Sequence, residues 1–536
     1  MVANTEIDQQ KRERIDLGFI LFLALLFYAV FIYRTAFSIK GETYFTLVDD
    51  AMISMRYAKN LSNGFGFVWN IGEPPVEGFT NLGWTLYMAI LHTTGISESK
   101  ISLLMMITSA FILLGNAFLS FKISKIIAPE SKIAPLIAAI ITAFYYPLVF
   151  WSLRGMEVGI ATLLVYMSVL LAINPSKPIE TKRALFLGLV MLLAIVVRFD
   201  VVLQITLIVG YVLYDHIIKK KAKFILISPI LLFYLAGIIS VLLFQYLYFG
   251  SVFPNTYYLK VVGVSFLERF SVGIQVFVEY ATRDFLAPLF IIIAGFICFP
   301  TLREKRNFLL LALFFIQCGY SIFVGGDYAE PLNSPQVEAA NRFITQGMPS
   351  VIILFSIIID CFLQAIKVKN GTKHKYSLSS TLVLASGISL AAIVIMSGAP
   401  WFKWMLYNAP LLNDDISGTE LGIHIRDNTD QNVVIAVHSA GQIPYYSNRR
   451  TIDLLGVNDP VIAKGPPATS LFRPGHNKWN YEYSIMTLKP DLVADEWGQL
   501  AEFLADKPDW YRLANGIWIR KDSTHINIEG LEQEYR

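Results

Sequence analysis

The chain has 536 residues, of which 55% are hydrophobic and only 16% are charged, and its formal net charge at pH 7 is +3. This composition excludes an ordinary soluble domain, and apolar residues gathered in long runs are typical of a protein that crosses a membrane several times. The small net charge gives no indication of nucleic-acid binding. The three cysteines lack the spacing of a zinc site or of a disulfide framework.

The chain begins with a charged segment, residues 1–16, which is predicted to be a cytoplasmic tail. The apolar run 17–37 is longer than that of a signal peptide and is interpreted as an uncleaved signal anchor. Residues 17–400 as a whole are predicted to form the transmembrane domain. Further apolar runs of span length are 102–121, 133–151, 157–173, 224–247, 286–300, 307–323, 347–366 and 378–397.

The apolar run from Ala184 to Tyr214 needs separate treatment because charges interrupt it. As a helix it is roughly 46 Å long, which is too long for one untilted span and short for two. Basic clusters at 177–183 and 219–223 flank it, and both are cytoplasmic only if the run turns back at Arg198-Phe199-Asp200. This choice predicts about eleven spans, with the N-terminus inside and the C-terminus outside.

Charge counting places several segments on the outer side of the membrane. Residues 82–95 are apolar but short, and are predicted to form a helix in the outer interface. Beyond residue 400 the composition is that of a small extracytoplasmic α/β domain, 401–536. The outer segments are 38–101, 154–157, 248–285, 324–346 and everything after 398; the predicted strands are Val433–Val437, Thr451–Gly456, Pro490–Val493 and Gly516–Arg520.

Two adjacent carboxylates, Asp49 and Asp50, lie just after the first span. Carboxylates at a membrane surface are costly to desolvate and are usually retained for substrate chemistry. An acceptor hydroxyl gains from a carboxylate base or from a metal-bound carboxylate pair, so both residues are catalytic candidates and alternative ligands of a divalent metal ion. The other interpretation is that they cap the helix that follows.

The outer segments also supply cations, which could hold the charge of a phosphate leaving group. The alternatives are that Arg198 and Asp200 are mutual structural partners, that Lys260 and Arg342 extend to the interface, and that Arg56 lies on a solvated helix face. The candidate donor-phosphate and substrate ligands are Arg56, Glu77, Arg198, Asp200, Asn255, Tyr258, Lys260, Asp327 and Arg342.

The first outer loop resembles a branch of the GT-C superfamily of integral-membrane glycosyltransferases, most closely the terminal arabinofuranosyltransferases that use decaprenyl-phosphate arabinose. The resemblance implies a GT-C fold, a polyprenyl-phosphate-sugar donor and an outer-leaflet active site, with Asp49 or Asp50 as the base or metal-site residue. The motifs that carry it are Asp49-Asp50-Ala51-x-Ile53-Ser54-x-Arg56, Val76-Glu77-Gly78-x-Thr80-Asn81, Arg198-x-Asp200, Pro254-Asn255-Thr256-Tyr257-Tyr258-x-Lys260, and Gly325-Gly326-Asp327-Tyr328 with Arg342-Phe343.

The leading hypothesis is a membrane glycosyltransferase of the bacterial inner membrane. It would move a pentose such as arabinofuranose, or a hexose, from a polyprenyl phosphate to an envelope glycan, lipid or protein on the outer face, and the C-terminal domain would help to bind the acceptor. A transporter or flippase of a lipid-linked saccharide is a second class, which predicts inverted repeats and broken helices around a midplane site. A non-catalytic envelope assembly protein is a third, which has no need of clustered Asp, Arg and Lys residues.

Overall fold

A computed structural model of the protein describes residues 2–173, 180–219, 224–327, 341–369 and 378–533. Tyr328, which belongs to one of the motifs above, lies outside these ranges. Within these ranges, the regular secondary structure of the N-terminal part is helical apart from one short hairpin. Its helices, numbered α1 to α17 in chain order, are Val2–Tyr33, Asp49–Ser62, Leu82–His92, Glu98–Ile127, Ala134–Phe144, Tyr146–Leu153, Val158–Ala172, Thr181–Val197, Val202–Val212, Ser228–Phe249, Asn255–Val261, Phe266–Tyr280, Leu286–Cys298, Lys305–Val324, Arg342–Thr345, Met348–Lys369 and Leu378–Leu406.

Within the described ranges, seven helical segments are long and apolar enough to cross a membrane, or eight if the bent pair α5 and α6 counts as one span. Each of the eleven predicted spans falls on a helix. The counts differ because α7, α8 and α9 have only 15, 17 and 11 residues, whereas an untilted span needs about 20. The prediction of a polytopic helical membrane protein is confirmed.

The long apolar run is broken where its two charges lie. Helix α8 ends at Val197, Arg198 has an extended backbone, and a short 3₁₀ turn over Phe199–Val201 leads into α9. The two halves then pack differently, since α8 contacts α10 most extensively and α9 contacts α14. The predicted division of the run at Arg198-Phe199-Asp200 is confirmed.

The structure corrects one part of the predicted outer loop 248–285, namely residues 266–285. Helix α12 continues through a π-helical turn at Ala281–Phe285 into α13, and together they form one 33-residue apolar segment, Phe266–Cys298. Charged residues made this stretch look like a loop. The structure accommodates these charges locally: Arg283 pairs with Asp284 at 3.1 Å, and Arg269 lies 4.9 Å from the Phe323 ring centre.

The first outer loop forms a small structured unit. Strands β1 (Phe37–Ile39) and β2 (Glu42–Tyr44) pair as an antiparallel hairpin that leads into α2. Helix α2 packs against α3, the predicted short helix of this loop, and against the C-terminal domain. Because α2 begins at Asp49 with Val48 as its N-cap residue, neither carboxylate of the pair is the N-cap.

The predicted C-terminal sheet domain is present, and its sheet is mixed. Of the strands described, β3 (Val434–Val437) lies parallel to β4 (Arg450–Asp453) and to β5 (Leu492–Val493). Strand β7 (Trp518–Arg520) pairs antiparallel with β5 and with β6 (Trp510–Arg512), an edge strand that was not predicted. Helices α18 to α22 are Leu412–Asp427, Gln442–Ser447, Pro460–Lys464, Leu500–Ala505 and Ile528–Glu532. Helix α17 extends past the predicted domain boundary at 400 to Leu406.

The C-terminal domain packs directly on the first outer loop. Tyr57 and Phe79 of that loop share one hydrophobic cluster with Ile435 and Ile443 of the domain. A buried ion pair between Arg154, at the end of α6, and Asp415 of α18 adds a second attachment. The domain is therefore fixed over one end of the helical bundle, where the candidate site lies.

Candidate active site

A cavity of about 610 Å³ lies between one end of the helical bundle and the C-terminal domain. It brings together residues that are far apart in sequence, because α2, the α8–α9 break, α11, α14, α15 and a loop of the C-terminal domain all contribute to its wall. Five of the sequence-predicted site residues line it: Asp50, Arg198, Asp200, Lys260 and Arg342. The domain contributes His476 to the same wall.

One part of the wall is apolar and follows the membrane helices. Val202 and Leu203 at the start of α9 face the cavity together with Ile316 and Phe323 of α14, and Phe253 lies in the segment before α11. The charged side chains form the other part. The cavity therefore combines a charged end with an apolar wall, which suits an amphipathic ligand that has a polar head and a lipid tail.

Asp50 is the carboxylate that faces the cavity. Its Oδ2 lies 2.6 Å from Nη1 of Arg342, and its side chain is 33% exposed. Burial alone would raise the pKa of Asp50, but Arg342, Lys260 and His476 outweigh this effect and hold the pKa below its ordinary value. Asp50 is therefore ionised at neutral pH.

Asp49 points away from the cavity and binds the C-terminal domain. Its Oδ1 accepts hydrogen bonds from the backbone N–H groups of Gly441 at 2.9 Å and Gln442 at 3.3 Å. Gly441 is required for this approach, since a Cβ atom there would lie 2.2 Å from the Asp49 carbonyl oxygen. Burial, followed by the nearby charges of Asp50 and Asp415, raises the pKa of Asp49 to about 8. The two adjacent carboxylates thus have different environments and different charge states at neutral pH.

Arg342 and Lys260 are the cations nearest to Asp50. Arg342 is shared between Asp50 and Asp327, whose Oδ2 lies 3.1 Å from the Arg342 Nε and whose side chain is fully buried. Among the described residues, Lys260 has neither an ion pair nor a hydrogen bond, and its Nζ lies 5.2 Å from the ring centre of Phe343. Burial and the neighbouring charge of Arg342 lower the pKa of Lys260 to about 8. Lys260 is the cation with most capacity to bind an anionic ligand.

Arg198 has a different role from Lys260 because two carboxylates already neutralise it. Its guanidinium group contacts Glu157 and donates from Nε to Asp200 Oδ1 at 2.7 Å. The second oxygen of Glu157 accepts a hydrogen bond from Asn81 at 2.8 Å. The Phe343 ring connects the two cationic groups, since the Arg198 and Arg342 guanidinium carbons lie 5.4 Å and 5.5 Å from its centre.

Five other predicted site residues lie outside the cavity wall. Arg56 is buried, and its guanidinium group donates to the carbonyl oxygens of Trp69, Pro444 and Arg449, which joins α2 to the C-terminal domain. Glu77 accepts a hydrogen bond from Gln245 at 2.8 Å, and Asn255 donates one to the Val457 carbonyl at 3.1 Å. The carbonyl oxygen of Tyr258 accepts a hydrogen bond from Lys478 at 3.0 Å, and Asp327 lies beside Arg342.

Four residues of the site had no role assigned from the sequence: Asn81, Glu157, Phe343 and His476. A usable signal existed for three of them, because Asn81 and Phe343 stand within the quoted motifs and Glu157 lies at a predicted outer turn. The His476 Nδ1 lies 3.2 Å from the Pro474 carbonyl. Burial and the nearby His438 lower the pKa of His476 to about 4, so this ring is neutral at pH 7.

A metal ion does not fit the Asp49 and Asp50 pair well. The two carboxylates bind different partners in different directions, whereas shared coordination requires their oxygens to converge. Over the parts of the chain that the structure describes, no group of three His, Cys, Asp or Glu side chains is placed to hold a metal ion. We therefore assign no step to a metal.

The helices, the cavity and the sheet domain define a polytopic membrane protein whose C-terminal domain covers a cavity at one end of the helical bundle. Its fold is similar to that of ArnT from Cupriavidus metallidurans in the apo state, with a TM-score of 0.54 and 11% identity over 96% of this chain and 98% of that one. ArnT from Cupriavidus metallidurans bound to undecaprenyl phosphate also has a TM-score of 0.54 and 11% identity, over 95% of this chain and 98% of that one.

An oligosaccharyltransferase from Archaeoglobus fulgidus, tethered with an acceptor peptide, has a TM-score of 0.50 and 12% identity, over 82% of this chain and 64% of that chain. The GT-C fold expected from the first outer loop is confirmed, while the arabinofuranosyltransferase branch stays a prediction. A family described as "Domain of unknown function (DUF8728)" matches residues 412–526, which is most of the C-terminal domain. No curated protein sequence matches the chain.

Proposed function

We propose that the protein is a membrane glycosyltransferase that transfers a sugar from a polyprenyl-phosphate donor to an acceptor hydroxyl. The observation that carries this proposal is the cavity, in which an ionised carboxylate, Asp50, and two cations, Arg342 and Lys260, stand at the end of an apolar wall. The apolar wall suits the prenyl chain and the cations suit the phosphate. A similar fold, ArnT, has been solved with undecaprenyl phosphate bound.

In this proposal Asp50 is the general base. The acceptor oxygen attacks the anomeric carbon of the donor sugar, and its proton passes to the Asp50 carboxylate. The bond between the anomeric carbon and the phosphate oxygen breaks, and its electron pair leaves with the phosphate. Lys260 and Arg342 stabilise the charge that develops on this leaving group.

The C-terminal domain contributes the acceptor side of the site. Val457, Pro474, Gly475 and His476 line the cavity from this domain, and the fixed attachment of the domain keeps them in place. The acceptor is an envelope glycan, lipid or protein, and the donor sugar is a pentose such as arabinofuranose or a hexose. The site faces the outside of a bacterial inner membrane, with the N-terminus in the cytoplasm and the C-terminal domain outside.

The test is a transfer assay with purified full-length protein and a panel of polyprenyl-phosphate sugars, offered with an envelope extract as acceptor. We expect transfer from at least one donor, and loss of this transfer in the Asp50→Asn variant. Asp522→Asn, a change at an exposed carboxylate of the C-terminal domain, serves as the matched control and should keep full activity.

Two results would contradict the proposal. If the protein binds the donors but transfers no sugar under any condition, a transporter of lipid-linked saccharides is favoured. If it binds none of them, a non-catalytic role in envelope assembly is favoured.

A further inference from the structure

The charged end of the cavity has two parts with different chemistry. Lys260 has a charge that no described residue pairs with, whereas Arg198 is held between Glu157 and Asp200. Two carboxylates against one guanidinium leave an excess of negative charge around Arg198. A phosphate placed beside Arg198 would meet Asp200 and Glu157 as well, so the phosphate belongs at Lys260.

A chain of hydrogen bonds fixes the Arg198 part of the wall. The hydroxyl groups of Ser54 and Thr85 both donate to Asn81 Oδ1 at 3.0 Å. The Asn81 amide then donates to Glu157 Oε2 at 2.8 Å, and Glu157 Oε1 accepts from Arg198. Each member has its polar atoms directed by a neighbour, so the network has little freedom to rearrange.

The network ends on Asp200. Its Oδ1 accepts from Arg198 Nε at 2.7 Å, while its Oδ2 makes no hydrogen bond to any residue that the structure describes. The Asp200 side chain is 12% exposed, compared with 2% for Glu157, and it lines the cavity. Thr80 and Asn81 line the cavity as well and are uncharged hydrogen-bonding groups. A fixed carboxylate oxygen near neutral polar groups is suited to accept hydrogen bonds from hydroxyl groups.

We propose that Asp200, positioned by Arg198, Glu157 and Asn81, binds the hydroxyl groups of the donor sugar, while Lys260 binds the donor phosphate. This inference rests on the proposed function, and it names the substrate class more closely: the transferred sugar presents free hydroxyl groups to Asp200. Asp200 is a binding residue, and Glu157 and Asn81 are positioning residues that act through Arg198.

The experiment compares three lipids that differ only in the sugar: undecaprenyl phosphate, undecaprenyl-phosphate arabinose and undecaprenyl-phosphate glucose. Binding of each to the full-length protein in nanodiscs is measured for the wild type, Asp200→Asn, Lys260→Ala and the control Asp522→Asn. The wild type should bind at least one sugar lipid more tightly than the sugar-free lipid.

Asp200→Asn should weaken binding of that sugar lipid by about tenfold or more, the loss expected when hydrogen bonds to a charged acceptor are weakened. It should not weaken the binding of undecaprenyl phosphate. Lys260→Ala should weaken all three lipids, and Asp522→Asn none. Asp200→Glu retains the charge and should recover part of the sugar-dependent affinity if Asp200→Asn proves difficult to fold.

The possible failures are distinguishable. If the wild type binds none of the lipids, the proposed function fails. If the wild type binds all three equally, or if Asp200→Asn weakens the sugar-free lipid as much as the sugar lipid, the hydroxyl-binding role of Asp200 is overturned. The donor-phosphate site at Lys260 is overturned separately if Lys260→Ala binds all three lipids as tightly as the wild type.

Discussion

The structure predicts that replacing Asp49 and Asp50 separately by asparagine has very different consequences. Asp50 is ionised because its pKa lies below the ordinary value, with Arg342 2.6 Å away. Asparagine at this position cannot accept the proton of an acceptor hydroxyl. General base catalysis contributes about 10²–10⁴-fold, so Asp50→Asn should lower the transfer rate by that factor.

Asp49 should tolerate the same change. Burial raises the pKa of Asp49 to about 8, so the neutral carboxyl form prevails at pH 7, and asparagine resembles this form in shape. The amide oxygen can still accept the hydrogen bonds of Gly441 and Gln442. We expect Asp49→Asn to keep the transfer rate within about threefold of the wild type, since the buried hydrogen bonds persist.

The assay is the initial rate of sugar transfer at saturating donor, with thermal unfolding of each variant measured in parallel. Asp49→Ala supplies the structural control, because it removes both hydrogen bonds and should cost about 1–3 kcal/mol of unfolding free energy. Equal loss of rate in the two asparagine variants would refute the division of roles. Full activity of a folded Asp50→Asn variant would remove Asp50 from catalysis.

Three further predictions follow from buried groups and open space. Burial raises the pKa of Glu77 to about 8, so the folded state retains a proton that the unfolded chain loses above its ordinary pKa, and stability falls as pH rises towards 8. Glu77→Gln should flatten the decline of the melting temperature between about pH 5 and pH 8, and an unchanged slope would contradict this. Arg154→Met removes the cationic partner of the buried Asp415 and should lower the unfolding free energy by about 3–5 kcal/mol in denaturant titrations. A loss below about 1 kcal/mol, the size typical of a surface pair, would contradict this prediction. Gly319 lines the cavity, and no atom lies within 4 Å of a Cβ added at this position. Gly319→Leu should therefore reduce binding of undecaprenyl phosphate with no loss of thermal stability. Unchanged binding would show that the lipid does not lie against this wall.

The helices and strands could be predicted largely from the sequence because burial in a membrane or in a parallel sheet produces long apolar runs. The break at Arg198 was predictable for the same reason, since two charges interrupted such a run. The helical conformation of 266–285 could not be predicted in this way. Arg283 and Asp284 form an ion pair with each other, and a count of charges cannot distinguish such a pair from the charges of an exposed loop.

The roles of individual side chains were less accessible. Asp49 and Asp50 are consecutive on a helix, so their side chains point about 100° apart, but which one faces the cavity depends on loops almost four hundred positions away. Arg56 shows the same limit: its polar partners include Pro444 and Arg449, and only the docked C-terminal domain explains why it is buried. Composition and spacing contain no information about contacts of this range.

The placement of Asp49 and Asp50 also links the two halves of the site. The first turn of α2 binds the C-terminal domain through Asp49 and presents Asp50 to Arg342. A shift of the Gly441 loop would therefore displace this turn and change the distance between Asp50 and an acceptor held by the domain. Because a misplacement of about 1 Å can cost a hundredfold in rate, the same contact that docks the domain sets the geometry for proton transfer. An adjacent pair of carboxylates is suited to this task, since one residue is used for attachment and its neighbour for chemistry.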